Sequence, residues 1–143
     1  FALVVPALAR LSRREARWIL LLDPPALPYA PALAARGLDL SRLLLVRAPR
    51  QDVAWAGEQG LQSGSCSAVL IWGGKWQPAG LRRLQLAAAQ GESLALLFRD
   101  PEAAGQAVPA ALRLGVRPVP QGLRVEILKQ RGGRPGGVVV LHP

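Results

Sequence analysis

Ala68-Val69-Leu70-Ile71-Trp72 is an unbroken apolar run in the middle of the chain, and three others resemble it. Upstream lie Trp18-Ile19-Leu20-Leu21-Leu22, stopped by Asp23-Pro24-Pro25, and Leu43-Leu44-Leu45-Val46; downstream lies Leu94-Ala95-Leu96-Leu97-Phe98. Runs of this length with no polar alternation read as strands buried on both faces. Between them the spacing predicts helices at about 28–36, closed by Gly37, at 51–63, and at 78–90 with Pro78 at the start. A further helix is expected over 2–14, with Pro6 near its first turn. Strands alternating with helices imply right-handed βαβ crossovers and a parallel sheet covered on both sides. In the helix at 51–63, Val53, Gly57, Gly60 and Gly64 fall on one face. Each interior glycine costs about 1 kcal/mol of helix propensity, so a smooth surface for close approach to the sheet is the expected compensation. In the helix at 78–90 the core face is assigned to Leu81, Leu84 and Ala88.

The pattern changes after residue 100. Leu112–Val116 and Leu123–Ile127 alternate apolar with polar residues, and Val138–Leu141 follows after a Pro/Gly-rich connection. These strands are expected to form an antiparallel extension of the same sheet, within a single domain covering 1–143.

Composition narrows the function. The 143 residues carry 18 Lys+Arg against 9 Asp+Glu, and Lys75 and Lys129 are the only lysines. Residues 110–143 hold six cations and one acid, so the terminal strands carry most of the excess charge. Cys66 is a lone cysteine and His142 a lone histidine, too few soft ligands for a structural zinc site and no basis for an internal disulfide. A cytoplasmic setting is expected, with no cofactor and no metal. No apolar stretch approaches the roughly 18 residues of a membrane span. The chain opens on Phe1 without an initiator methionine or helix cap, from which a missing upstream part is expected.

The order of these strands resembles a RecA-type core. Asp23, Tyr29, the stretch from Ala35 to Leu45, the small-residue helix ending at Ser63-Gly64 and the strand at 68–72 carry the likeness. Asp100-Pro101-Glu102, Leu112–Arg117 and Arg124–Arg131 continue it. The expected fold class is thus α/β, a RecA-like three-layer core with a mostly parallel sheet. The resemblance places RecA's water-activating glutamate at Pro25, its magnesium-side aspartate at Trp72 and its glutamine sensor at Phe98-Arg99. None of these side chains can act as base or metal ligand. No Gly-rich Lys-Ser/Thr phosphate loop occurs in the sequence. The expectation is a protein that is not an enzyme.

Two families within that group are closer. Ala7-Leu8-Ala9-Arg10-Leu11-Ser12, Ala16-Arg17-Trp18-Ile19 and Pro24-Pro25 are similar both to the SulA cell-division inhibitors, which block FtsZ, and to ImuA, a SulA/RecA-like accessory protein of damage-inducible translesion synthesis. The tail from Leu123 to Pro135 resembles the ImuA ending, whereas the short SulA proteins stop near the strand at 94–98. The favoured reading is therefore ImuA: a non-catalytic adaptor of the SOS response to DNA damage. It would join RecA to the polymerase-like subunit ImuB and an error-prone polymerase complex. The alternative is a SulA-type inhibitor binding FtsZ. A third reading is a single-strand DNA-binding module.

The candidate partner-binding residues are Lys129, Arg131 and Arg134 at the C-terminal hairpin and Arg82, Arg83 and Leu86 on an exposed helix face. In RecA the pair matching Lys129 and Arg131 reaches across a protomer interface, which implies a candidate homo-oligomer through a RecA-like interface; the alternative is a solvated basic hairpin. Candidate nucleic-acid contacts, expected to be weak, are Arg113, Arg117 and Arg124, joined by Lys75 and Trp76 after the strand at 68–72. For Trp76 the alternative is an indole packed over its own loop.

Overall fold

The computed structural model describes residues 1–142. The chain divides into two compact units, 1–99 and 100–143, where a single domain was expected.

The first unit is a three-layer α/β arrangement. A 3₁₀ turn at Ala2–Val4 leads into α1 (Val5–Arg14), with Pro6 in its first turn where no intrahelical N–H bond is lost. Then come β1 (Trp18–Leu22), α2 (Ala30–Ala35), β2 (Leu43–Val46), α3 (Val53–Gln62), β3 (Cys66–Ile71), α4 (Pro78–Gln90) and β4 (Leu94–Leu97). The sheet order is β2-β1-β3-β4, and every pairing is parallel.

The period-2 geometry of β1 and β3 divides the core. Ile19, Leu21, Ala68 and Leu70 face α1 and α2, packing on Val5, Leu8, Ala9 and Leu33. Leu20, Leu22, Val69 and Ile71 face the other way, onto Val53 and Leu61 of α3 and Leu84 and Ala87 of α4. Six consecutive buried residues in β3 are the direct result. β3 begins two residues before the expected 68, because Cys66 and Ser67 are small enough to be buried; the Ser67 hydroxyl donates to the Trp18 carbonyl at 3.3 Å. In α4 the fully buried residue is Ala87, with Ala88 at the core margin, a one-residue correction.

The glycine face of α3 does allow close approach. A Cβ at Gly57 would lie 2.7 Å from Ile71 Cδ1, and one at Gly60 would lie 2.8 Å from Leu20 Cδ2. Gly64 is different: it sits beyond the helix with φ of +71° and nothing beside it, serving the turn into β3.

The second unit holds β5 (Leu112–Val119), β6 (Gly122–Gln130) and β7 (Val138–Leu141), in that order and antiparallel. They make a sheet of their own, which corrects the expected extension of the parallel sheet. Alternating polarity shows that a strand has two unlike faces; it carries no information about which sheet the strand joins.

Candidate functional site

Chain direction positions the first site. β1 leads through α2 to β2 on one side, while the return through α3 and onward through α4 places β3 and β4 on the other. The crossovers therefore diverge between the C-terminal ends of β1 and β3, the point at which open α/β sheets bind ligands. Aromatic and charged side chains gather at this end of the sheet. Trp72, just past β3, stacks on Phe98 with centroids 4.4 Å apart and planes within 4°. Phe1 meets the same indole edge-on at 5.9 Å. Asp23 ends β1 at φ +53°, and its carboxylate faces Arg47 at 3.6 Å. Trp76 turns back so that its indole N–H donates to the Gly73 carbonyl at 2.7 Å.

These groups pack against and pair with one another. Pro25 is exposed beyond the strand, Trp72 and Phe98 satisfy each other, and Asp23 is already paired with a cation. No cluster of three His, Cys, Asp or Glu suited to a metal exists among the described residues. Burial pushes the Cys66 thiol up from its ordinary range, partly offset by the nearby Arg17 charge, so it is a poor nucleophile.

The opposite end of the sheet is tied by Arg17. Its guanidinium donates to Glu15 at 2.5 and 2.8 Å, to the Gly91 and Glu92 carbonyls at 3.1 Å, and to the Cys66 carbonyl at 3.4 Å. One side chain thereby joins the starts of β1, β3 and β4.

The outer surface of α3 and α4 is the second candidate. Arg82 and Arg83 are exposed, Arg83 donates to Glu58 of α3 at 3.1 Å, and Leu86 is 60% exposed. Trp55 on α3, 65% exposed, was passed over in the sequence. Its signal was its place in the helix, two residues after the buried Val53 and off the glycine face. Leu27 and Tyr29, in the loop before α2, are likewise exposed.

In the second unit, register brings the cations together in rows. Arg117 pairs with Arg124, and a bulge sets Arg113 opposite Lys129. Two of the four are occupied: Arg113 donates to the Ala104 carbonyl at 2.5 Å and Lys129 to the Val108 carbonyl at 2.9 Å, pinning the connection that precedes β5. Arg131 and Arg134 are exposed on the β6–β7 connection, and Lys75 is exposed beside Trp76 in the first unit.

No family model matches the chain. Among curated proteins it is 34% identical over 102 residues, 71% of this chain, to the cell division inhibitor SulA of Edwardsiella piscicida. Among solved structures it is similar to the crystal structure of SulA from Pseudomonas aeruginosa, with a TM-score of 0.58 and 30% identity. That match covers 68% of this chain and 84% of that one. The chain belongs to the SulA family.

It spans 61% of the length of the Edwardsiella SulA. Of the readings that the sequence left, these relationships carry the SulA alternative; ImuA, with RecA, ImuB and a polymerase as partners, finds no support in them. The likeness of the tail, Leu123 to Pro135, to ImuA, which tipped the sequence reading, rested on the smaller unit. No helix among the described residues is long and apolar enough to cross a membrane.

Proposed function

We propose that this chain is a SulA-type inhibitor of cell division that acts by occupying a partner protein, without catalysis, in the cytoplasm of cells responding to DNA damage. The partner that the SulA resemblance implies is FtsZ. The observation that supports the reading most is the agreement of sequence and fold with SulA. A protein that acts by occupying a partner does so through its surface.

On that surface we assign partner contact to Arg82, Arg83 and Leu86 of α4, extended by Trp55 of α3. A large exposed apolar side chain flanked by arginines has the make-up of an interface anchor. Lys129, Arg131 and Arg134 form a separate basic patch, with Lys129 partly committed to holding the Val108 carbonyl. Contact with nucleic acid through Arg113, Arg117, Arg124, Lys75 and Trp76 is a weaker proposal, because Arg113 and the Trp76 indole N–H already have intramolecular partners.

Expression of the chain in a rod-shaped bacterium tests the reading. Filaments without septa are expected, and Leu86→Glu at equal protein level should restore division. Normal division with the wild-type chain present and folded would overturn it.

A further inference from the structure

β7 is an edge strand with none of the features that keep edges from pairing. Its sequence, Val138-Val139-Val140-Leu141, has no charge, no proline and no bulge, and each residue is between 39 and 54% exposed. The opposite edge, β5, carries Arg113, Arg117 and Pro118, the usual deterrents to strand addition.

The hydrogen-bond phase of β7 follows from one bond. Ile127 N–H donates to the Gly137 carbonyl at 2.8 Å. Bonded pairs in an antiparallel ladder recur every second residue, so Val139 and Leu141 turn their backbone groups inward to Val125 and Leu123. The Leu141 carbonyl indeed lies against Gly122 of β6, where a Cβ would overlap it. Val138 and Val140 therefore point N–H and C=O outward, and among the described residues no other backbone group reaches them.

The two faces at this edge differ in chemistry. Val139 and Leu141 lie on the face of Val125, Leu123, Ile127, Leu114 and Val116, which is apolar. Val140 lies in the row of Arg124 and Arg117. Like charges directly opposite each other destabilise a sheet, and neither arginine has an ion pair among the described residues. Glu126 occupies the next row, beside Val138. A strand added outside β7 would put the residue opposite Val140 about 9.6 Å from Arg124 across two strand spacings, within reach of a glutamate and an arginine meeting over a valine.

We infer that the open edge of β7 binds an extended segment of a partner protein by strand addition, with apolar residues over Val139 and Leu141 and an acidic residue opposite Val140. A second copy of this chain is the poorer occupant, since pairing β7 with itself would bring two Arg117–Arg124 rows onto one sheet in a chain of charge +9. The inference is independent of the division reading, and its test uses no division protein.

The probe is a fluorescein-labelled peptide, TVTVEVTV, titrated with the full chain by anisotropy, beside TVTVKVTV. The Glu peptide should bind at least fivefold more tightly than the Lys peptide, and Arg124→Ala should reduce that preference below twofold. Val140→Pro removes an outward N–H and no bond to β6, so it should weaken the Glu peptide at least tenfold at unchanged melting temperature. If that variant melts early, the Glu peptide N-methylated on alternate residues gives the same comparison on wild-type protein. Equal binding by Val140→Pro or by the methylated peptide, or no preference for Glu over Lys, would overturn the inference. So would a wild-type dimer in sedimentation that Val140→Pro dissociates, which would make a second copy the occupant.

Discussion

Gly91→Ala should destabilise the protein even though backbone reasoning points the other way. Gly91 follows α4 at φ −87° and ψ 2°, a conformation alanine adopts freely. Loss of glycine's freedom in the unfolded chain would then be worth about 0.4 to 1 kcal/mol in favour of the variant. The neighbour reverses the sign. A Cβ at Gly91 would overlap the Leu61 carbonyl oxygen and lie 2.9 Å from its carbon and 3.2 Å from Gln62 Cα. These are backbone atoms at the end of α3, so no rotamer change relieves them, and α3 and α4 must separate. Gly91 also accepts from Arg17, which a shift would weaken. Overpacking of this kind costs about 1 to 3 kcal/mol; after the entropic gain, a net loss of about 1.3 kcal/mol is expected. With the 99-residue first unit as the melting species, that lowers Tm by about 5 to 10 °C at roughly 4 to 8 °C per kcal/mol. Gly80→Ala is the control in the same helix. Its nearest neighbour is the flexible end of Arg83 at 4.0 Å, so the variant should gain about 0.5 to 1 kcal/mol from helix propensity. Melting followed by circular dichroism at 222 nm decides. A Gly91→Ala variant melting at or above wild type would refute the close approach that fixes α3 against α4.

Other outcomes follow from the same geometry. Leu86→Glu should leave Tm within about 4 °C, as surface changes away from packed features shift stability by only about 0.5 kcal/mol, while weakening partner binding; a large loss of stability would assign Leu86 to the core. Arg117→Glu should stabilise the antiparallel unit by about 0.5 to 1 kcal/mol by turning a like-charge cross-strand pair into an ion pair, read as a higher urea midpoint. The Ser41 hydroxyl, then its N–H, hold the Asp39 carboxyl below its ordinary range. Ionised Asp39 therefore supports the fold above about pH 4 and that support is lost as pH falls through the lowered value; Asp39→Asn should flatten the acid limb of a Tm against pH curve. Cys66, its thiol raised, should react slowly with iodoacetamide at pH 8 in the native state and at an ordinary rate in urea.

The strands of the first unit were legible as unbroken apolar runs; β1 and β3 are buried on both faces as expected, whereas β2 and β4, at the sheet edges, stay partly exposed. Glycine spacing announced how closely α3 would approach the sheet, since Gly57 and Gly60 make poor helix residues unless something occupies their missing side chains. The separate sheet was not legible: Arg113, Arg117 and Arg124 reveal the alternation of their strands, while membership of a sheet depends on contacts far along the chain. Their partners were equally hidden. Lys129 was read as a partner contact and Arg113 as a nucleic-acid contact, and only the fold of the connection before β5 shows that two carbonyls take them up. Trp72 and Phe98 were read as side chains that replace RecA's metal-side and sensor residues; that they stack on each other required the adjacency of β3 and β4. Trp55 gave too little signal alone, since one tryptophan off a helix's core face does not reveal whether another layer covers it.

The most direct test of the account is a sedimentation assay of FtsZ polymers against increasing amounts of the wild-type chain, with RecA and ImuB offered separately to the same immobilised protein. The account predicts that pelleted FtsZ falls in proportion to added chain, that Leu86→Glu requires at least tenfold more protein for the same effect, and that RecA and ImuB are not retained. Unchanged FtsZ polymer at a molar excess of folded chain, together with retention of RecA or ImuB, would contradict it.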